Sequence, residues 1–188
     1  MKYILASSSP RRKDLMKFIS SDFLIIPSNA DETVDSSLLP LEVVTLLSFK
    51  KGQMIAKEYP NYMVISADTI VVIDEQIIGK PKDEEDAKRM LHLLSGRTHV
   101  VYTGYSLFYK GKVKQNVVES HVTFEELSDD LISKYVDSKS PLDKAGAYGL
   151  QDNNTYHIVK KINGSINNVI GFPVEEIKID IEKMSELI

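Results

Sequence analysis

Val64-Ile65-Ser66-Ala67-Asp68-Thr69-Ile70-Val71-Val72-Ile73-Asp74 sets one acidic side chain inside a β-branched run. The residues on both sides of Asp68 read as strand. Aspartate disfavours strand interiors, so Asp68 breaks a local rule where its neighbours agree, and such a break marks a candidate site. The chain then turns at Asp74-Glu75 and continues through Ile78 to Gly79-Lys80-Pro81. There Gly permits a tight turn and Pro fixes the backbone, so Lys80 is carried on constrained chain. On its own, the simpler reading has Asp68 capping a turn and Lys80 pointing to solvent. The rest of the chain argues otherwise.

Upstream, residues 3–6 read as a short buried strand that Ser7-Ser8-Ser9-Pro10-Arg11-Arg12 turns into a helix. Ser9 suits the N-cap and Pro10 the first helical position, with Leu15, Met16, Phe18 and Ile19 as the apolar face. Arg11 and Arg12 then fall in the first turn, where the helix dipole disfavours cations. An anion placed there removes the conflict, because backbone N–H groups, serine hydroxyls and two guanidinium forks would converge on a phosphate-like group. A solvated basic turn is the alternative. The coincidence of serines, Pro and paired Arg after a strand favours the anion.

Residues 23–26 read as a strand, and the polar loop after it holds the adjacent acids Asp31 and Glu32, a pair that is usually just solvated. A helix is predicted over 40–58, with Val43, Leu46, Leu47 and Met54 on one stripe and Lys50 on the same stripe. Lys50 either snorkels to the surface or points into a cleft, and spacing does not separate the two.

Asp83 and Asp86 resemble a capping box for a helix whose core face is Ala87, Met90, Leu91 and Leu94, ended by Gly96. His92 lies off that face and is expected to be exposed. A hairpin follows, 100–109 and 113–124 around Lys110-Gly111-Lys112. Ser128 caps a further helix that stops before Pro141, and residues 143–151 read as a glycine-bearing loop. Residues 156–162 read as strand, Asn163-Gly164 as a turn, and Pro173 opens a last helix faced by Val174, Ile177, Ile181 and Met184. Interleaved helices and strands with a central hairpin predict an α/β fold with a mixed sheet, in one domain over 1–188.

The 43% hydrophobic and 27% charged fractions fit an ordinary soluble globular protein. A net charge of −4 argues against binding nucleic-acid polymers, so any anionic ligand needs a local cluster of cations. With no Cys, disulfides and thiolate chemistry are excluded. No apolar run is long enough to span a bilayer and no secretory segment is recognised, so the expected location is cytoplasmic. Asn163-Gly164-Ser165 matches a glycosylation sequon but reads as a turn in that setting.

No P-loop, dinucleotide fingerprint or nucleophile elbow occurs, and the four histidines show no ligand spacing. What remains is a set of cations (Arg11, Arg12, Lys50, Lys80) and acids (Glu32, Asp68). That set suits a phosphate chain gripped by cations, with carboxylates binding Mg²⁺ or activating water.

Leu5-Ala6-Ser7-Ser8-Ser9-Pro10-Arg11-Arg12, Asp31-Glu32-Thr33, Ser66-Ala67-Asp68-Thr69, Gly79-Lys80-Pro81, Leu94-Ser95-Gly96 and Asp143-Lys144-Ala145-Gly146-Ala147-Tyr148-Gly149-Leu150-Gln151 together resemble the Maf (septum-formation-inhibitor-like) family. The stretch from Asn163-Gly164-Ser165 to Gly171-Phe172-Pro173 matches as well, so the resemblance spans nearly the whole chain in the family's order. It implies an elongated, two-lobed mixed α/β fold with a central cleft, shared with inosine triphosphate pyrophosphatases. It further implies cleavage of nucleoside triphosphates between the α- and β-phosphates, a divalent metal (Mg²⁺ or Mn²⁺), and a homodimer.

By motif, Asp68 matches the family's proton acceptor, and Ser7, Arg11, Arg12, Lys50 and Lys80 match positions that grip the triphosphate. Glu32 matches an acid that shares the metal with Asp68. The branch resembling dTTP/UTP pyrophosphatases has Arg, Thr and Gln at three selective positions, here Arg11, Thr69 and Gln151. The branch acting on 7-methyl-GTP tends to have Trp, Gln and Glu there. A Gln amide both donates and accepts, matching the N3–H and O4 of uracil or thymine, whereas Glu accepts only. The chain departs from the common pattern of the pyrimidine branch after Gln151, where Asp152-Asn153-Asn154 stands and that branch often has Gly. A second reading is a nucleotide-binding regulator of cell division with incidental hydrolysis. Asp68 and Glu32 favour the enzyme, because a pure binder gains nothing from carboxylates beside a phosphate.

Overall fold

The structure is a computed structural model that describes residues 1–186. Its sheet follows the order β2-β1-β3-β5-β6-β7, from strands Phe23–Ile25 (β2), Lys2–Leu5 (β1), Tyr62–Ile73 (β3), Thr98–Tyr109 (β5), Lys112–Phe124 (β6) and Val159–Asn163 (β7). The short strand Gln76–Ile78 (β4) pairs with β3 beside this path. β1 runs parallel to both β2 and β3, while β3–β4 and β6–β7 are antiparallel, so the sheet is mixed as expected. The helices are Pro10–Met16 (α1), Pro40–Glu58 (α2), Glu84–Leu94 (α3), Asp129–Asp137 (α4), Asn153–Tyr156 (α5), Ile166–Ile170 (α6) and Val174–Glu186 (α7).

The chain forms two compact units. The first comprises Met1–Thr69, Thr103–Val118 and the segment from Gly171 onward; the second comprises Ile70–Tyr102 and Glu119–Ile170. In the first, apolar residues, most of them β-branched or aromatic, build a core of Ile4, Ala6, Ile55, Val64 and Phe108. The helix α2 keeps the predicted bounds, but its buried side is Val43, Val44, Leu47, Ser48, Gly52 and Ile55. Met54, expected on the apolar stripe, is exposed. The reason is a close seam lined by small residues. The Ser66 hydroxyl donates to the Ser48 carbonyl at 2.6 Å, and a Cβ added to Gly52 would lie 2.5 Å from Ser66 Oγ and collide with the Phe108 ring. Phe18, expected on the face of α1, is also exposed because that helix ends at Met16. On α7, Val174, Ile177, Ile181 and Met184 are buried as predicted.

The second unit packs Val71, Ile73 and Ile78 against Met90, Leu91 and Leu94 of α3 and Ile132, Tyr135 and Val136 of α4. Asp83 accepts from the Asp86 N–H at 2.8 Å and caps α3, while His92 stays largely exposed. The β3–β4 turn places Asp74 and Glu75 at φ 51° and 62°, and Lys110-Gly111 closes β5–β6 at 48° and 76°, both matching two-residue hairpins. His99 is buried edge-on against Phe124 and Tyr148. The strand predicted over 156–162 begins only at Val159. Asn153–Tyr156 is helical, and the Asn153 side chain holds both the N–H and the carbonyl of Val159. The expected loop at 143–151 is a series of 3₁₀ turns, Ser140–Asp143, Ala145–Ala147 and Leu150–Asp152.

Candidate active site

Parallel pairing of β1 with β3 lays the end of β1 beside the centre of the longer strand. The Ala6 N–H donates to the Ile65 carbonyl at 2.8 Å, which brings Ser7 next to the Ser66–Asp68 segment. Ser7 is buried and its Oγ accepts the Ser9 N–H at 3.2 Å; Ser9 in turn caps α1 by accepting the Arg12 N–H. Serines of the β1–α1 turn thus fix the backbone that carries Arg11 and Arg12.

Arg12 is held on two sides. Its Nε donates to the Gly171 carbonyl at 2.9 Å and its Nη2 to Thr69 Oγ1 at 3.1 Å, while the Thr69 and Thr103 hydroxyls pair at 3.0 Å. Gly171 has φ 110°, and a Cβ there would stand 3.0 Å from Thr69 Oγ1, so both backbone and space call for glycine. Burial pushes the Arg12 guanidinium below the ordinary arginine value; Asp68 raises it back, Arg11 lowers it and Glu32 raises it. The first turn of α1 therefore faces acids as well as a second cation.

Asp68 lies in β3 with only 8% of its surface exposed. Its Oδ1 sits 2.5 Å from Lys51 Nζ, and the same ammonium lies 3.3 Å from Glu32 Oε2. Glu32 is exposed, but its loop is clipped in place. The Asp31 carboxylate accepts the Thr33 N–H at 2.9 Å, and Lys50 donates to the Thr33 carbonyl at 2.9 Å. Lys50 thus fastens the acidic loop, and Lys51 is the side chain that reaches the carboxylates. Sequence reading missed Lys51. The available signal was its position four residues after Leu47 and four before Ile55, both buried, beside the small residues Ser48 and Gly52.

The first unit therefore brings together Ser7, Arg11, Arg12, Glu32, Lys50, Asp68 and Thr69, and adds Lys51. Lys80 and Gln151 belong to the second unit, where both are exposed. There the Gly79 carbonyl accepts the Gly146 N–H at 3.0 Å, which joins the Lys80 turn to the 3₁₀ segment leading to Gln151.

Among the described residues, no three His, Cys, Asp or Glu side chains form a ready metal cage. The donor set does fit a hard ion that keeps water and substrate oxygens, since Mg²⁺ commonly takes one or two carboxylates plus phosphates. Asp68 and Glu32 already converge on one cation, the Lys51 ammonium.

The model of the Maf-like protein family matches residues 2–184. The chain is 45% identical over 188 residues to a dTTP/UTP pyrophosphatase of Syntrophus aciditrophicus (strain SB), covering 99% of this chain and 91% of that one. It is 41% identical over 182 residues to a dTTP/UTP pyrophosphatase of Bacillus cereus (strain G9842), covering 97% and 95%. The fold is similar to that of the Staphylococcus aureus Ham1 protein, with a TM-score of 0.56 at 13% identity over 98% of this chain and 100% of that one.

Proposed function

Since the chain belongs to the Maf family, we propose that it is a nucleoside triphosphate pyrophosphatase that converts dTTP and UTP to the monophosphate and pyrophosphate. The observation that carries this reading is the buried Asp68 carboxylate, fixed on a rigid strand at 2.5 Å from Lys51 with the Arg12 fork close by. Cations bind the triphosphate; a carboxylate among them serves a proton rather than the phosphate. In the reaction, the oxygen of water joins the α-phosphorus and the bond from that phosphorus to the bridging oxygen breaks. Pyrophosphate leaves with the electron pair, and Asp68 takes the proton of the water. Arg11, Arg12, Lys50 and Lys80 hold the phosphate chain, and Ser7 lines it. Lys51 balances the charge of Asp68 and orients its carboxylate. Asp68 and Glu32 would hold Mg²⁺ or Mn²⁺, which when bound neutralises phosphate charge.

Arg11, Thr69 and Gln151 select the pyrimidine. The Thr69 hydroxyl is engaged by Arg12 and Thr103, so its influence runs through the Arg12 fork. A cytoplasmic homodimer without affinity for nucleic-acid polymers or membranes completes the reading. The net charge of −4 supports the part that concerns nucleic-acid polymers, and no described helix is long and apolar enough to cross a membrane.

Product analysis over a panel of nucleoside triphosphates tests the function. Monophosphate and pyrophosphate should appear from dTTP and UTP, and Asp68→Asn should slow their release about a thousandfold while nucleotide binding persists. Binding without turnover across the panel would replace this reading with that of a nucleotide-binding regulator. Preferred turnover of 7-methyl-GTP would keep the chemistry and overturn the choice of base.

A further inference from the structure

Where the chain departs from the common pattern of the pyrimidine branch, immediately after Gln151, the structure places a turn anchored by several side-chain hydrogen bonds. The Asp152 N–H donates to the Gly149 carbonyl at 3.0 Å and closes a 3₁₀ turn around Leu150 and Gln151. Both ends of that turn meet on one phenol. The Gly149 N–H donates to the Tyr135 oxygen at 3.0 Å, and the Tyr135 O–H donates to Asp152 Oδ2 at 2.7 Å. The same carboxylate oxygen accepts the Ser140 O–H at 2.7 Å, and Ser140 Oγ accepts from Lys144 Nζ at 3.0 Å. Lys144 is 7% exposed and also donates to the Ser140 carbonyl and to Asp143.

The direction of every hydrogen in this chain is fixed. An ammonium only donates and a carboxylate only accepts, so each hydroxyl between them has one orientation available. Tyr135 cannot drift, being fully buried and packed at 4.6 Å from the Tyr156 ring. Gln151 is exposed in the middle of the anchored turn. A Cβ added to Gly149 would lie 2.9 Å from Gln151 Nε2, so the Gln151 amide rests on the residue whose N–H Tyr135 holds.

We propose that Asp152 is a positioning residue that fixes the turn carrying Gln151 and thereby sharpens the selection of pyrimidine over purine. The inference rests on the reading of Gln151 as the base-selecting side chain. Its physical content is preorganisation: an exposed Gln on a loose turn must be ordered by each substrate, whereas one on an anchored turn is already placed.

The test is a double-mutant cycle measured as kcat and KM for UTP and for GTP in Gln151→Ala, Asp152→Ala and the double variant, with Asp152→Asn and Tyr135→Phe alongside. Asp152→Ala should raise KM for UTP about five- to tenfold, the weight of one or two hydrogen bonds, and leave kcat within about twofold. Its kcat/KM for GTP should not change, so the UTP-to-GTP ratio falls. The double variant should be no worse than Gln151→Ala, because Asp152 acts through Gln151. Asp152→Asn should recover most of the loss, since its amide oxygen can still accept both hydroxyls. Tyr135→Phe keeps the ring and should reproduce the KM effect if Asp152→Ala does not fold. Amide hydrogen exchange at Gly149 and Asp152 should speed up in both Asp152→Ala and Tyr135→Phe. Multiplicative effects in the cycle, equal losses on UTP and GTP, or unchanged exchange would overturn the inference. A ratio lost in Gln151→Ala but intact in Asp152→Ala would overturn it alone; a ratio intact in Gln151→Ala would remove the base-selecting role of Gln151 and this inference with it.

Discussion

Asp68 and Lys51 share a nearly dry pocket, with side chains 11% and 13% exposed. Two such charges are tolerable only together, because removing one leaves the other desolvated without a partner. Lys51→Met preserves much of the stem and should lower unfolding free energy by about 3 kcal/mol in urea titration. It should also cut kcat at least tenfold, as the carboxylate loses its orientation. Adding Asp68→Asn to Lys51→Met should restore part of the lost stability, since no charge is then stranded. Stability losses that simply add would show that the pair is not coupled. At this scale the sequence was legible where a residue contradicted its surroundings. Asp68 stood out inside a β-branched run, and Arg12 in a helix's first turn. Lys51 contradicted nothing, because lysine is ordinary on any helix, and only the packing of α2 reveals which way it points.

Elements were easier to read by their ends than by their faces. Pro40 and the apolar pattern bounded α2 correctly, yet the buried side runs through Ser48 and Gly52 rather than through Met54. Hydrophobicity locates a face only when the contact is made by large side chains; a seam built for close backbone approach is lined by small ones. Gly52→Val should therefore cost about 1–3 kcal/mol by overpacking against Ser66 and Phe108. Met54→Ala should change stability by less than about 0.5 kcal/mol. Urea unfolding of the two variants checks the assignment, and equal costs would contradict it. The segment from Ser140 to Tyr156 was the least legible. Its 3₁₀ turns are held by Tyr135, Asp152 and Lys144, contacts made across the fold of the second unit that no local propensity encodes.

For the molecule as a whole, one buried group links stability to pH. His99 is 1% exposed, bonds the Tyr148 hydroxyl at 2.8 Å, and is pushed by burial from about 6.5 down to about 4. Its folded value is the lower one, so between those limits the unfolded chain binds the extra proton. Stability present above pH 6.5 is thus lost as the pH falls toward 4, by up to about 3 kcal/mol from this side chain. His99→Gln should flatten that part of the curve. The difference in unfolding free energy between pH 7 and pH 4.5 should be smaller in the variant than in the parent, and equal differences would exclude His99 as the source. The mixed α/β class and most of the element order were legible from periodicity and turn residues. The boundaries of the two units were not, since neither unit is a continuous stretch of sequence.

That discontinuity bears on how the protein is made. Arg12 is translated well before the Gly171 carbonyl that holds it, which lies 159 positions later. A ribosome that has finished β1, α1 and all of β3 has written Asp68 and Thr69, but not the clamp that sets the arginine fork. The second unit, whose last residue is Ile170, is fully encoded before Gly171 is added. Assembly of the arginine fork therefore waits until Gly171 has been added. A nascent chain, or one terminated before Gly171, has no completed fork with which to act on a nucleotide.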